Sequence, residues 1–217
     1  GFVIPIMRHL FENCEPVIAG CPTFDQAADK WKTDLLPIIL QSRFADLLPD
    51  RGPGSRGGSI TAANNVITFK HGPQLKFMSG GGGDKSRSGF SSRVLVATEI
   101  EALGDVSQRS KEADKLKQME GRLNAWQSAE QEIYLECTAG TETGKTWLEY
   151  LAGTESAISL PCPHCREYVQ PEREHLTGHE AADAREAAEA AGCFICPGCG
   201  ENWTAAERRA ANAAGLL

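Results

Sequence analysis

The sequence predicts an α/β fold, a mainly parallel sheet with flanking helices, followed by a small zinc-ribbon-like lobe. Three observations predict it. Apolar runs of strand length alternate with stretches of helical spacing through the first two thirds of the chain, the order that builds parallel sheets. One run, Val94-Leu95-Val96-Ala97, is uninterrupted and ends at Thr98-Glu99, as expected of a strand buried on both faces that delivers a carboxylate at its C-terminal end. Beyond Ser159 the composition turns to Cys, Pro and His, and two C-x2-C pairs appear. These features divide the chain into an α/β part, 1–158, and a separate lobe, 159–217.

A first helix is expected from Phe2 to about Glu12, with Pro5 in the first turn where proline is tolerated. Pro16 to Cys21 reads as a short buried strand. Thr23 with Gln26 has the spacing of a capping box, and Phe24, Ala27, Ala28, Trp31 and Leu35 recur at helical spacing up to Pro37. The stretch from Asp50 to Ser59 is rich in Gly, Pro, Arg and Ser, a loop. Val66–Phe69 and Leu75–Met78, joined by His71-Gly-Pro-Gln, read as a hairpin. A Gly/Ser-rich loop, 79–93, precedes the Val94 strand. A long charged helical pattern covers 107 to about 130, and Ile133–Thr138 is the next strand. In the lobe, an Ala/Glu-rich helix is expected at about 180–191, between the two C-x2-C pairs.

Charge and apolar content exclude some classes. No apolar run approaches the roughly 20 residues of a membrane span. The apolar N-terminus is short, lacks a basic stretch before it and does not begin with Met, so a signal peptide is not expected. The net charge of −7 argues against a surface basic all over. Within it, Arg51, Arg56, Lys70, Lys76, Lys85, Arg87 and Arg93 face one acid, Asp84, which makes this stretch +6. That segment reads equally as a solvated loop region and as a surface facing phosphate.

Five of the eight cysteines follow residue 160. Cys162-Pro-His-Cys165 and Cys196-Pro-Gly-Cys199 are C-x2-C knuckles, a spacing that lets two thiolates reach one ion while the amides of the turn point at the sulfurs. Together they predict a structural Zn²⁺ held by Cys162, Cys165, Cys196 and Cys199. Two disulfides are the competing reading, but a secreted disulfide framework should not leave Cys14, Cys21 and Cys137 scattered singly. Cys193 is the odd thiol, either non-ligating or a substitute ligand. With four cysteines completing the shell, His164, His175 and His179 read as structural or surface residues, and Trp31, Trp126 and Trp147 as packing rather than base-stacking residues.

Ala139-Gly140-Thr141-Glu142-Thr143-Gly144-Lys145-Thr146 fits a relaxed phosphate-loop pattern after a strand, with Lys145 available for β- and γ-phosphates. Glu142 would put a carboxylate inside the cradle, and no further strand of a βαβ unit follows before the lobe. The motif therefore supports a small P-loop NTPase or kinase only as an alternative.

The order of Ile18-Ala-Gly-Cys-Pro-Thr-Phe-Asp-Gln-Ala, Arg93-Val-Leu-Val-Ala-Thr-Glu-Ile-Glu-Ala-Leu, Tyr134-Leu-Glu-Cys-Thr-Ala-Gly-Thr-Glu-Thr-Gly, Leu160-Pro-Cys-Pro-His-Cys, Pro171-Glu-Arg-Glu-His-Leu and Cys196-Pro-Gly-Cys-Gly resembles the large terminase subunits of tailed bacteriophages, of the GpA type. The resemblance covers nearly the whole chain, and the order of the motifs is more specific than any one of them. It implies a partial RecA-like P-loop ATPase core. Val94–Glu99 would match the Walker B strand, with Glu99 the catalytic carboxylate that orients water. Thr98 stands where many P-loop enzymes carry the Mg²⁺-associated Asp, so direct metal support there is in doubt, although a hydroxyl can still hold a Mg²⁺-bound water. Leu135–Thr138 would match the coupling motif, with Thr138 sensing the γ-phosphate. The plain competing role for Glu99 is a strand-end acid or helix cap.

The resemblance further implies ATP and Mg²⁺ as ligands of a motor that packages viral DNA into proheads and couples hydrolysis to translocation. It places the Walker A loop before Gly1 and a nuclease domain after Leu217, so this stretch is expected to be an internal, inactive piece of a longer polypeptide. Double-stranded viral DNA, the small terminase subunit, the portal and prohead, and further copies of the same subunit are the implied partners, in the bacterial host cytoplasm, with no membrane. A non-enzymatic zinc-ribbon module binding nucleic acid or protein is the alternative from a different class.

Overall fold

The strands β1 (Val17–Cys21), β2 (Val66–Thr68), β3 (Gln74–Ser79), β4 (Val94–Thr98) and β5 (Glu132–Glu136) form one sheet in the order β2-β3-β1-β4-β5. All neighbours run parallel except β2, which closes a hairpin on β3. The computed structural model describes residues 1–81, 89–103, 114–138, 140–178, 185–186 and 193–215. The chain divides into two compact units, Gly1–Tyr150 and Leu151–Leu217.

In the first unit both central strands, β1 and β4, are buried at every residue. Alternation of side chains sends Val17, Ala19, Val94 and Val96 into one core and Ile18, Leu95 and Ala97 into another on the opposite face. The first core is covered by two helical segments. One opens as α1 (Val3–Met7) and continues over Arg8–Glu12 with widened i→i+5 bonding, seen in the Asn13 amide to Arg8 carbonyl bond of 3.0 Å. The other runs from α2 (Phe24–Asp29), where the Thr23 hydroxyl accepts the Gln26 amide, through a widened turn at Lys30–Leu35 into α3 (Leu36–Gln41). The helix expected to end at Pro37 therefore continues past it. The amide of Leu36 reaches back five residues to Trp31, and Pro37 falls in the first turn of α3, where its missing N–H is not needed.

The second core is covered by α4 (Lys115–Glu120), which brings Leu116 and Met119 onto the sheet. A Cβ on Gly20 would lie 2.8 Å from the Met119 sulfur and 3.1 Å from the Ala97 Cβ, so glycine in β1 leaves room for Met119 where α4 crosses the sheet. The long helix expected from 107 to about 130 lies outside the described residues up to 113. Beyond that it is broken: α4 stops at Gly121, and only short 3-10 turns follow at Gly121–Leu123 and Ser128–Glu130. The last helix to begin in this unit is α5 (Lys145–Ala152).

The second unit contains two small hairpins, β6 (Leu160–Pro161) with β7 (Tyr168–Val169) and β8 (Phe194–Ile195) with β9 (Asn202–Trp203), followed by α6 (Ala205–Ala213). Thr204 and Glu207 close a capping box at the start of α6. Among the described residues, Leu160, Val169, Phe194, Trp203 and Ala211 pack with Cys162 and Cys196 into a core of seven buried residues. The Ala/Glu-rich helix expected at 180–191 lies almost wholly outside the described residues. Among the described residues no helix is long and apolar enough to cross a membrane.

Candidate functional site at the strand ends, and a four-cysteine centre

After β1 the chain turns to the helices over the first core and to β2 and β3; after β4 it turns to the opposite face and to β5. The crevice between the C-terminal ends of β1 and β4 is thus where connections diverge, the position at which open α/β sheets bind ligands. A cleft of about 250 Å³ lies there, lined among others by Pro22, Gln26, Lys30, Thr98 and Glu99.

Glu99 follows β4 directly and is exposed, with a left-handed backbone at φ +53°. A non-glycine residue in that region costs on the order of 1–3 kcal/mol and persists where its surroundings impose it, a pattern concentrated at functional sites. Here the imposition is a reversal: β4 ends, and the Glu99 carbonyl accepts the Ala102 amide at 2.9 Å to start the turn Ile100–Leu103. The Cys137 sulfur lies 3.8 Å from Glu99 Oε2. Thr98 is buried and stands opposite Glu136 in the β4–β5 register, and its hydroxyl donates to Glu136 Oε2 at 2.5 Å. Thr138 is exposed two residues beyond Glu136. The sheet thus brings the ends of the two strands carrying Thr98, Glu99 and Thr138 side by side. Glu136 had not been singled out from the sequence, where it is one more acid in a strand that begins and ends with glutamate.

The Gly140–Thr146 stretch is arranged differently from a phosphate cradle. Glu101 accepts the amides of Lys145 (3.2 Å) and Thr146 (2.9 Å), and these bonds, the one from Thr146 foremost, hold its carboxyl below the usual range. A Cβ on Gly144 would lie 2.5 Å from Glu101 Oε1, so glycine there serves the approach of a protein carboxylate. Lys145 Nζ pairs with Asp114 Oδ2 at 2.7 Å.

In the second unit the sulfurs of Cys162, Cys165, Cys196 and Cys199 all lie within 4.8 Å of one another. The closest contacts, Cys162 to Cys199 at 3.8 Å and Cys165 to Cys196 at 3.9 Å, are far longer than a disulfide bond of about 2.05 Å, and all eight cysteines are free. The two knuckles are built alike. In each, the first cysteine's amide bonds a carbonyl five residues on (Glu167, Glu201) and its carbonyl accepts an amide four residues on (Arg166, Gly200). Arg166 and Gly200 occupy the same left-handed position, at φ +65° and +77°.

Burial opposes ionisation of Cys162, but the amides of Cys165 and His164 and the neighbouring thiols outweigh it and bring the thiol down to about 6. The Glu167 amide favours the Cys165 thiolate, yet burial and the adjacent sulfurs push that thiol up to about 12. One thiolate forms readily and resists the next, which is the charge pattern a soft divalent cation relieves. Four sulfur donors in this arrangement fit Zn²⁺. Cys193 lies outside the cluster, where its sulfur accepts from the Thr177 hydroxyl at 3.5 Å.

Several residues of the basic stretch are engaged within the protein. Lys70 pairs with Asp50 at 2.6 Å, and Lys76 donates to Asn65 Oδ1 at 2.9 Å. Arg93 bridges Glu15 and Glu132 at 2.8 and 2.9 Å. Lys85 and Arg87 lie outside the described residues. The Arg93 bridge extends to buried His9, whose ring nitrogens face Glu15 (3.0 Å), Tyr134 (3.2 Å) and Glu132 (3.3 Å). No spacing in the sequence joins these five residues.

No curated protein and no solved structure matches this chain. The profile of one family, described as phage terminase large subunit gpA, ATPase domain, matches residues 6–216, which takes in the strand ends and all four clustered cysteines. The chain therefore belongs to the ATPase-domain family of phage terminase large subunits of the gpA type.

Proposed function

We propose that this chain is part of the motor subunit that packages viral DNA into proheads, with ATP hydrolysis coupled to DNA translocation. The observation that carries the reading is Glu99, held in a left-handed conformation at the end of a fully buried parallel strand, beside the end of the next strand. In this reading Glu99 accepts a hydrogen bond from water and orients it for attack on the γ-phosphate, while Thr138 senses that phosphate from the end of β5. Catalysis of this kind rests on positioning and electrostatics rather than on covalent chemistry.

The oxygen donors at the strand ends, the Thr98 hydroxyl and the Glu99 and Glu136 carboxylates, fit a hard cation such as Mg²⁺. Mg²⁺ bound with ATP would neutralise charge on the phosphates. Zn²⁺ at Cys162, Cys165, Cys196 and Cys199 would supply fold stability to residues 159–217, whose core, seven buried residues among those described, is small for independent folding. Viral DNA, the small terminase subunit, the portal and further copies of the subunit are the partners this function requires.

ATP hydrolysis by the full-length polypeptide, with and without DNA, tests the reading. Glu99→Gln is expected to lower turnover by roughly 10²–10⁴-fold with nucleotide affinity retained. Wild-type turnover in that variant would return Glu99 to a strand-end acid, and absence of nucleotide binding by the parent would favour the zinc-binding module instead.

A further inference from the structure

In the ATPase reading Thr98 stands where many P-loop enzymes carry the Mg²⁺-associated Asp, and the structure places a carboxylate, that of Glu136, against its hydroxyl. Its side chain is in a strand buried at all five residues, and its hydroxyl proton is committed to Glu136. The partner comes from the adjacent parallel strand at the matching register position, so sheet pairing fixes the contact. With the proton donated to an anion, the Thr98 oxygen keeps only acceptor capacity, and polarisation by the carboxylate strengthens it. Among the described residues, no Lys, Arg or His pairs with Glu136 or with Glu99. By contrast, Glu15, Glu132 and Asp114 each pair with a cation. Two carboxylates at neighbouring strand ends, one bound to a buried hydroxyl and neither paired with a basic side chain among the described residues, present oxygen donors to the same edge of the sheet.

We propose that Glu136 is a positioning residue for the divalent cation of the nucleotide site, acting through Thr98: the pair Thr98–Glu136, split between two strands, does the work of a single strand-end aspartate. The proposal rests on the ATPase reading and deepens it. Glu136 fixes the Thr98 rotamer and makes its oxygen a better acceptor for a water of the cation's shell. Substitution of such an outer partner typically weakens metal affinity by roughly 10–100-fold.

The test is Mn²⁺ binding to the full-length polypeptide with a non-hydrolysable ATP analogue, read from the free-Mn²⁺ electron paramagnetic resonance signal. Glu136→Gln and Thr98→Val are each expected to weaken Mn²⁺ by roughly 10–100-fold, with affinity for the analogue in the absence of metal unchanged. Because the two residues act as one unit, the double variant should be no weaker than either single one. Glu136→Asp, which keeps the charge, should fall between wild type and Glu136→Gln. Both variants are close in shape to the residues they replace, so either one suffices if the other fails to fold. Wild-type Mn²⁺ affinity in Glu136→Gln, or losses that multiply in the double variant, overturn the assignment and leave the ATPase reading standing. A wild-type parent that binds no Mn²⁺–nucleotide overturns both.

Discussion

The carboxylate of Glu101 sits on the N-terminus of α5, 2.9 Å from the backbone nitrogen of Thr146. It occupies the amides that a phosphate loop would turn on its ligand, and Asp114 holds the lysine that would accompany them. Lys145→Ala is therefore expected to leave the nucleotide affinity of the full-length polypeptide unchanged, as measured by calorimetric titration. Glu101→Gln should lower the urea midpoint, because a neutral amide caps a helix N-terminus less well than a carboxylate. The pH dependence has a definite sign. The carboxyl is held below its ordinary 4.5, so its contribution is present above that pH and fades as pH falls through the lowered value. The Gln variant should lose that part of the acid sensitivity. Micromolar ATP binding that disappears in Lys145→Ala would restore the phosphate-loop alternative.

The four-sulfur cluster predicts one Zn²⁺ per chain. Cys196→Ser should remove the zinc measured by elemental analysis after dialysis, and Cys193→Ser should retain it, since Cys193 lies outside the cluster. A chelator should lower the melting temperature of residues 151–217 specifically, because the small core among the described residues leaves the metal to hold the hairpins. Zinc that survives Cys196→Ser would mean that the ligand set is wrong.

What could be read in advance follows from how local each signal is. The C-x2-C spacing and the apolar run at Val94 are local patterns, and the structure has both where they were expected. Pro37 misled because a widened turn before it, with the Leu36 amide bonded to the Trp31 carbonyl, lets the helix pass a residue without an N–H, and no local pattern announces that turn. Glu136, Glu101 and His9 could not be recognised because their meaning lies in partners 38 to 125 residues away that only the tertiary fold brings together, for Glu136 through the pairing of β4 with β5. A strand-end glutamate opposite a buried threonine is informative only once the register is known.

The network of His9, Glu15, Arg93, Glu132 and Tyr134 ties the first helical segment to β4 and β5 at the end of the sheet remote from Glu99. Burial works against ionised Glu15, yet its bonds with Arg93 and His9 keep its carboxyl below the ordinary 4.5. At Glu132 the bond from Tyr134 is the largest influence, and Arg93 adds to it in the same direction. Both groups therefore stabilise the fold above about pH 4.5 and lose that contribution as pH falls through their lowered values. Arg93→Ala should cost roughly 1–2 kcal/mol at pH 7, a value discounted for the partial exposure of the pair, and should flatten the acid limb of the stability curve. An unchanged acid limb in urea denaturation across pH 3–6 would show the network to be inert, a range chosen about the ordinary carboxylate values.

Glu99 allows backbone strain and chemistry to be separated at one position. Its φ of +53° is a conformation that glycine adopts freely and that other residues adopt at a cost of roughly 1–2 kcal/mol. Glu99→Ala and Glu99→Gly remove the same carboxylate, so both should lower turnover of the full-length polypeptide by roughly 10²–10⁴-fold. They differ in the backbone. Alanine keeps the strain, whereas glycine relieves it at the expense of a more flexible unfolded chain, so the glycine variant should be more stable than the alanine variant by about 1 kcal/mol. Glu99→Gln should match wild type in stability and the other two in lost turnover. A glycine variant that is active would remove Glu99 from the chemistry. Equal urea midpoints for the glycine and alanine variants would mean that the end of β4 relaxes out of the left-handed conformation, and that the turn at Ile100–Leu103 does not hold Glu99 in place.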